Sequence, residues 1–269
     1  MSRPGVVLMG SKPGSIVALS VLLERGWDVS HVVVSKDRHP WVQGPTLAEF
    51  ADGKGVPTLE QSELPRDLEP DFVISYMYRY RVKAEVIARA RRAALNFHAG
   101  PLPEYGGWAF YNMAILEDAA EYGCTCHYMD ESFDTGPLLK VRRFPIDAAE
   151  ETACSLERKA QAEMIRLFRE FCELAESGAP LPVEAQDRTR MRYLTREEFE
   201  ALKEIPADAD PETVDRYARA FWYPPYPGAY IRRENARIEV VPSAAREHIA
   251  GLLHADDLDR LYDAVRRNP

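Results

Sequence analysis

The sequence predicts an α/β protein: a doubly wound, Rossmann-like parallel or mixed sheet followed by a small α+β C-terminal extension. Three observations predict it. Short apolar runs alternate with helical patterns through the first hundred residues, as strand–helix–strand crossovers require. The first run, GVVLMG (5–10), is continuous rather than alternating and ends in glycine, the pattern of a strand buried on both faces. Past residue 180 the texture changes to short charged helices. At 269 residues the chain suits one large domain or a domain with an appendage, drawn here as 1–180 and 181–269.

The elements follow in order. Pro13 opens a helix over GSIVALSVLLERG, where Ile16, Val17, Leu19, Leu22 and Leu23 recur at helical spacing and Gly26 is the stop. DVSHVVVS (28–35) is the second strand. TLAEFADGKG (46–55) is a helix capped by Thr46 and ended by Gly53 and Gly55. Then come a strand at 70–78, a helix at 83–93 and the strand ALNFH. A helix at 108–118 and strands at 123–131 and 138–146 lead to a long amphipathic helix, 151–176. Its stripe of Leu156, Ile165, Leu167, Phe168 and Phe171 reads as core. Beyond 180, helices are predicted at 192–206 and 210–221, the second with Asp210 as cap and Pro211 at its first position. A strand signal at RIEVVP (237–242) and a polar helix at 244–267 complete the chain.

The formal charge of −9 argues against a nucleic-acid partner, which needs a cationic footprint. The chain has no run of 18 apolar residues, and its first residues lack the apolar stretch of a signal peptide. A cytoplasmic protein is expected. Cys124 and Cys126 stand at strand spacing with no matching Cys/His cluster, so reduced, packed thiols are expected and no metal.

Chemistry concentrates in two stretches. In NFHAGPLPEYGG, Asn96 and His98 end a strand before a loop rich in glycine and proline. Parallel sheets bind ligands at such carboxyl ends. In HYMDESFDTGP, the next strand runs into an acidic loop with Asp130, Glu131 and Asp134. If the two strands are neighbours, an asparagine, a histidine and an aspartate converge. His98 would exchange a proton near neutral pH, Asp134 would orient it, and Asn96 would donate to an oxyanion. Such a trio suits acyl transfer to an amine without a covalent enzyme intermediate. The same residues also suit a plainer role, with Asn96 capping a turn, His98 packing and Asp134 closing an Asx-turn.

NFHAGPLPEYGG resembles the N-x-H-x-S-L-L-P-x-Y-x-G motif of the folate-dependent formyltransferases, and HYMDESFDTGP is similar to that family's H-x-x-x-x-x-x-D-x-G segment. His98 and Asp134 stand 36 residues apart, the family interval. The resemblance covers roughly residues 5–180 and implies the formyltransferase fold, with 10-formyltetrahydrofolate as formyl donor. It implies that Asn96 polarises the formyl oxygen, that His98 helps remove the proton of the attacking amine, and that Asp134 orients His98. It further implies a pterin slot formed by the backbone of Tyr80, Arg81 and Val82 with the loop residues Met129, Asp130, Glu131 and Phe133. Two departures bear on the acceptor: Gly100 stands where the family commonly has serine, and Gly106 where it often has arginine.

The family divides by acceptor. Glycinamide-ribotide transferases are usually a catalytic domain alone, and initiator-tRNA transferases carry a C-terminal barrel and a positive surface; neither matches this tail. RAFWYPPYPGAYI resembles the segment by which nucleotide-linked sugar N-formyltransferases close the acceptor pocket. The resemblance therefore implies a GDP- or dTDP-linked 4-amino sugar such as perosamine, a homodimer and a place in lipopolysaccharide O-antigen synthesis. Trp222 and Tyr223 would stack on the acceptor or simply anchor the tail. Tyr105, within the first motif, reads as a wall residue of the acceptor pocket, and Trp108, Tyr111 and Asn112 follow the motif, Asn112 at a family position near the sugar. Ser11 and Lys12, in GSKPGS, would meet a pyrophosphate or form only a tight connection. Arg188, Arg190 and Arg192 read as a solvated face or a phosphate contact. Two other readings stay open: a formyltetrahydrofolate hydrolase or transferase of another small amine, and a silent folate- or nucleotide-sugar-binding module.

Overall fold

A computed structural model describes residues 3–34 and 45–245. The predicted helix at 244–267 and the last residue of the predicted second strand, Ser35, therefore fall outside or at the edge of the described residues. The chain forms two compact units. One comprises Met1–Phe110, Glu121–Ile146 and Glu157–Leu194; the other comprises Tyr111–Ala120, Asp147–Leu156 and Thr195–Pro269.

The first unit holds a seven-stranded sheet. Its strands are β1 (Gly5–Gly10), β2 (Asp28–Val33), β3 (Thr58–Leu59), β4 (Phe72–Tyr76), β5 (Ala93–His98), β7 (Glu121–Tyr128) and β8 (Leu138–Pro145). They lie in the order β3-β2-β1-β4-β5-β7-β8. The first five run parallel, and β7 and β8 are antiparallel to their neighbours. The mixed sheet is thus as the sequence predicts. The two-residue strand β3 has no signal of its own; its pairing to Val32 and Val33 creates it.

Helix α1 (Gly14–Glu24) ends at Gly26, whose φ of +73° lies in the left-handed region that glycine enters without strain. α2 (Leu47–Asp52) carries the predicted Thr46 cap as a full capping box with Glu49. The strand predicted at 70–78 stops at Tyr76 because Met77 adopts φ +54°. The helix predicted at 83–93 is only α3 (Ala84–Ile87). The amides of Arg91 and Arg92 already bond the carbonyls of Pro70 and Asp71, so the arginine run is drawn into the sheet ahead of β5.

β5 separates a dry face from a wet one. Phe97 packs against Tyr76, Phe168 and Phe171, with ring centroids 5.0 to 5.7 Å apart, and Phe72 and Trp27 extend the cluster. Phe168 and Phe171 belong to α5 (Ala153–Ser177), the predicted amphipathic helix. Burying each such ring contributes about 1.5–3 kcal/mol. Asn96 and His98, one residue to either side, point the other way, as the two-residue period of a strand demands.

Two-residue strands β6 (Gly106–Gly107) and β9 (Tyr193–Leu194) pair in parallel, also unpredicted. α4 (Phe110–Leu116) follows β6. The helix predicted at 192–206 begins instead as strand β9, and in the second unit only α6 (Arg196–Ala201), capped by Thr195, is helical within that range. α7 (Pro211–Ala220) has Asp210 as its cap and Pro211 at its start, as predicted. Arg219 of α7 is buried and donates to the carbonyls of Ala148 and Glu151. A hairpin of β10 (Tyr230–Arg233) and β11 (Ala236–Glu239) replaces the single strand expected at 237–242, because Tyr230 to Arg233 supply the antiparallel partner.

Candidate active site

The antiparallel pairing of β5 with β7 places Asn96 directly opposite His127, and His98 opposite Thr125. β7 leaves the sheet beside Leu95, at the far end from His98. The loop after it must therefore fold back along β5. It does so with its base closed backbone to backbone: Tyr128 N bonds Pro137 O at 2.8 Å and Met129 N bonds Ala94 O at 2.9 Å. A Cβ on Gly136 would sit 1.9 Å from the Tyr128 carbonyl, so only glycine fits there. Within the loop, Asp130 accepts hydrogen bonds from Ser132 N and Thr135 Oγ1. Asp134 takes the left-handed conformation, φ +58°, which aspartate tolerates better than most residues.

The return brings Asp134 between two imidazoles. Its Oδ1 lies 3.7 Å from His98 Nδ1 and 3.7 Å from His127 Nε2, while its Oδ2 accepts from Gly107 N at 3.2 Å. Burial pushes the Asp134 carboxyl up, but positive charge on the imidazoles, His98 first, and the Gly107 N–H outweigh it and hold the group far below the usual carboxylate range. A fixed negative charge therefore stands in a nearly closed site.

The surrounding bonds assign the protons. His98 Nε2 donates to the Tyr105 carbonyl at 2.8 Å, which leaves Nδ1 facing Asp134. His127 Nδ1 donates to the Tyr128 carbonyl at 2.8 Å, and its Nε2 accepts from Asn96 Nδ2 at 3.0 Å. A proton arriving at His98 Nδ1 meets the carboxylate, and one N–H of the Asn96 amide is held by His127. The Gly100 departure has a steric reason: a Cβ there would lie 2.7 Å from the Tyr105 carbonyl and 2.8 Å from His98 Nε2. Gly106 is also crowded, with Arg192 O 3.1 Å from a Cβ position.

The remaining predicted residues fall as follows. Val82 is buried in an apolar cluster with Val73, Val86 and Ala94, and Met129 packs against that cluster. The backbone there is pinned, since the Gln61 side chain donates to Arg81 O at 3.1 Å and accepts from Lys83 N at 2.6 Å. Tyr80, Arg81, Asp130, Glu131 and Phe133 are exposed. Ser11 Oγ accepts from Arg79 N at 3.4 Å, and Lys12 is ion-paired with Glu157. Trp108 is exposed and Tyr105 half-buried. In the second unit, Tyr111 and Asn112 are buried, and the Asn112 amide donates to Ala220 O at 2.7 Å. Trp222 and Tyr223 are half-buried there, with Tyr223 stacked on Tyr226.

A family model described as formyl transferase matches residues 30–170, just over half of the chain, and spans both motifs. The chain belongs to the formyl transferase family. It is 29% identical over 260 residues to the methionyl-tRNA formyltransferase of Myxococcus xanthus, covering 91% of this chain and 81% of that protein. By structure it resembles an N-formyltransferase from Helicobacter canadensis, solved with folinic acid and dTDP-3-aminofucose, at TM-score 0.71. That match has 19% identity and covers 87% of this chain and 86% of the other. A 4-N formyltransferase from Francisella tularensis matches at TM-score 0.72 and 18% identity over 88% of this chain and 96% of the other. These structural likenesses establish the formyl transferase fold.

Sequence reasoning passed over two residues of this formyl transferase. His127 lies inside the quoted HYMDESFDTGP, and its position opposite Asn96 follows from the register alone. Gln186 carries no local signal; only the folded chain brings it to the Asp134 loop, where Nε2 donates to the carbonyls of Asp134 at 2.8 Å and Gly136 at 2.7 Å.

Proposed function

We propose that the protein transfers the formyl group of 10-formyltetrahydrofolate to the amine of a nucleoside-diphosphate 4-amino-deoxysugar, GDP- or dTDP-linked. The observation that carries this reading is the convergence of Asn96, His98 and Asp134 in one nearly closed cluster of a formyl transferase. The folate supplies an electrophilic formyl carbon attached to nitrogen. The second N–H of the Asn96 amide, not spent on His127, donates to the formyl oxygen as negative charge builds there. His98 takes the proton of the attacking amine at Nδ1, where the Asp134 carboxylate stabilises the imidazolium. As the new C–N bond forms and the old one breaks, that proton is available for the departing folate nitrogen.

The pinned backbone at Tyr80, Arg81 and Val82, with the loop residues Met129, Asp130, Glu131 and Phe133, is proposed to hold a flat heterocycle with a donor–acceptor edge. Tyr105, Trp108, Tyr111, Asn112, Trp222 and Tyr223, with Ser11 and Lys12, are proposed for the acceptor. We draw the catalytic chemistry to residues 1–180, with 181–269 completing the acceptor pocket or forming a dimer interface. The sugar reading is supported by the fold of the Helicobacter canadensis N-formyltransferase solved with dTDP-3-aminofucose. Four free cysteines, with burial pushing the Cys124 and Cys172 thiols up to about 12, support a reducing, cytoplasmic setting.

A second reading, formylation of methionyl-tRNA, is favoured by the curated relatives. The net charge of −9 opposes it. One panel separates the readings: enzyme and 10-formyltetrahydrofolate are incubated with GDP- and dTDP-amino sugars, small amines and methionyl-tRNA, and products are weighed. A gain of one formyl group on a sugar is expected. Formyl-methionyl-tRNA as the sole product removes the sugar reading, and formate released without any acceptor supports the hydrolase.

A further inference from the structure

We propose that the arginine-rich stretch 184–194 is a clamp on the reacting carboxylate, and that Gln186 is its positioning residue. This rests on the proposed role of Asp134 and adds a residue to it. The segment grips the site from two sides. At one end Glu184 and Leu138 exchange backbone hydrogen bonds at 2.7 and 2.9 Å, which anchors the segment where the Asp134 loop returns to the sheet. Two residues on, Gln186 spends both N–H groups on the carbonyls of Asp134 and Gly136. At the other end Gly106 N donates to Arg192 O at 3.1 Å and Trp108 N donates to Leu194 O at 3.1 Å, so the backbone that presents Gly107 N to Asp134 is held by the same segment.

Three details make this a built contact. Asp134 is in a left-handed conformation that its surroundings must hold in place. Gln186 Oε1 is buried and makes no hydrogen bond, so the amide is oriented for its donors at the expense of its acceptor. A Cβ on Gly107 would lie 2.6 Å from Leu194 O, so the clamp closes against bare backbone. Arg190 of the stretch faces away from the carboxylate and pairs with Glu104. Gln186 touches no reacting atom. It acts by setting the backbone from which the Asp134 carboxylate reaches His98 and His127.

The test uses the full chain with Gln186→Met, which keeps side-chain length and removes both donors. Segmental loosening at a reacting group costs up to about 10²-fold. We expect kcat to fall about 10- to 100-fold with KM for both substrates within about twofold. NMR titration of the Asp134 carboxyl carbon should give an apparent pKa higher than in the wild type. Gln186→Glu, which sets a carboxylate against two carbonyls, should do both more severely. A wild-type carboxyl titration together with a wild-type pH–rate profile overturns the proposal, even if the melting temperature drops, since a merely structural glutamine would do only that. The titration needs no acceptor, so it decides the clamp even if the sugar panel fails.

Discussion

Asn96 and His98 share β5 with Phe97, yet the two faces of this strand are held by opposite physics. Phe97 is gripped by non-directional packing against Tyr76, Phe168 and Phe171, with a buried thiol, Cys126, opposite it across β7. Asn96 and His98 are gripped by directional contacts: Asn96 by His127 at 3.0 Å, and His98 by the Tyr105 carbonyl at 2.8 Å with the Asp134 carboxylate facing its other nitrogen. The dry face tolerates exchange of shape at a cost in stability. The wet face is expected to tolerate little exchange of atoms, with its loss falling on rate.

The largest expected effect lies on the wet face. His98→Ala should lower kcat about 10²–10⁴-fold while the melting temperature moves by only a few degrees. A variant that keeps full rate breaks the comparison. One residue back, Phe97→Ala should do the reverse, costing about 3–5 kcal/mol in denaturant unfolding while the folded fraction keeps its kcat.

Asp134 joins the two kinds of effect. Its folded pKa is depressed, so its contribution to stability is complete above the ordinary carboxylate value of about 4 and is lost as pH falls toward the folded value. Wild type should exceed Asp134→Asn by about 1.5–3 kcal/mol at neutral pH, as charged hydrogen bonds do. That gap, read from denaturation curves, should hold down to about pH 5 and narrow below about pH 4. A gap independent of pH would mean the carboxylate charge is not what the site holds.

The smallest effect sharpens the boundary between faces. Gly100→Ser restores the residue common in the family but forces its Cβ against the Tyr105 carbonyl and His98 Nε2. It should cost about 1–3 kcal/mol and shift the His98 resonances in a histidine NMR titration, because the Nε2–Tyr105 bond must lengthen. Unchanged resonances would mean that glycine is incidental there.

Much of this was legible in the residues themselves. GVVLMG forms a parallel strand because a continuous apolar run needs cover on both faces, and Thr46 and Asp210 cap their helices through bonds that span only three residues. Asn96, His98 and Asp134 were legible through two motifs at a fixed interval. The misreadings share a cause. The arginine run after Ile87 has helical propensity but is claimed by the sheet, and β3, β6 and β9 exist only through partners distant in sequence.

By itself, then, the sequence determined the alternation of elements, the caps, the apolar stripe of α5 and the identity of the polar trio, since each depends on composition or on spacing within a few turns of chain. Tertiary structure alone decided that β7 runs antiparallel to β5 and that its loop turns back to seat Asp134 between two imidazoles. It also decided that Gln186, more than fifty residues further on, reaches that loop. Such pairings are chosen by which backbone groups remain unbonded once the sheet closes, a sum over the whole unit that no local stretch contains.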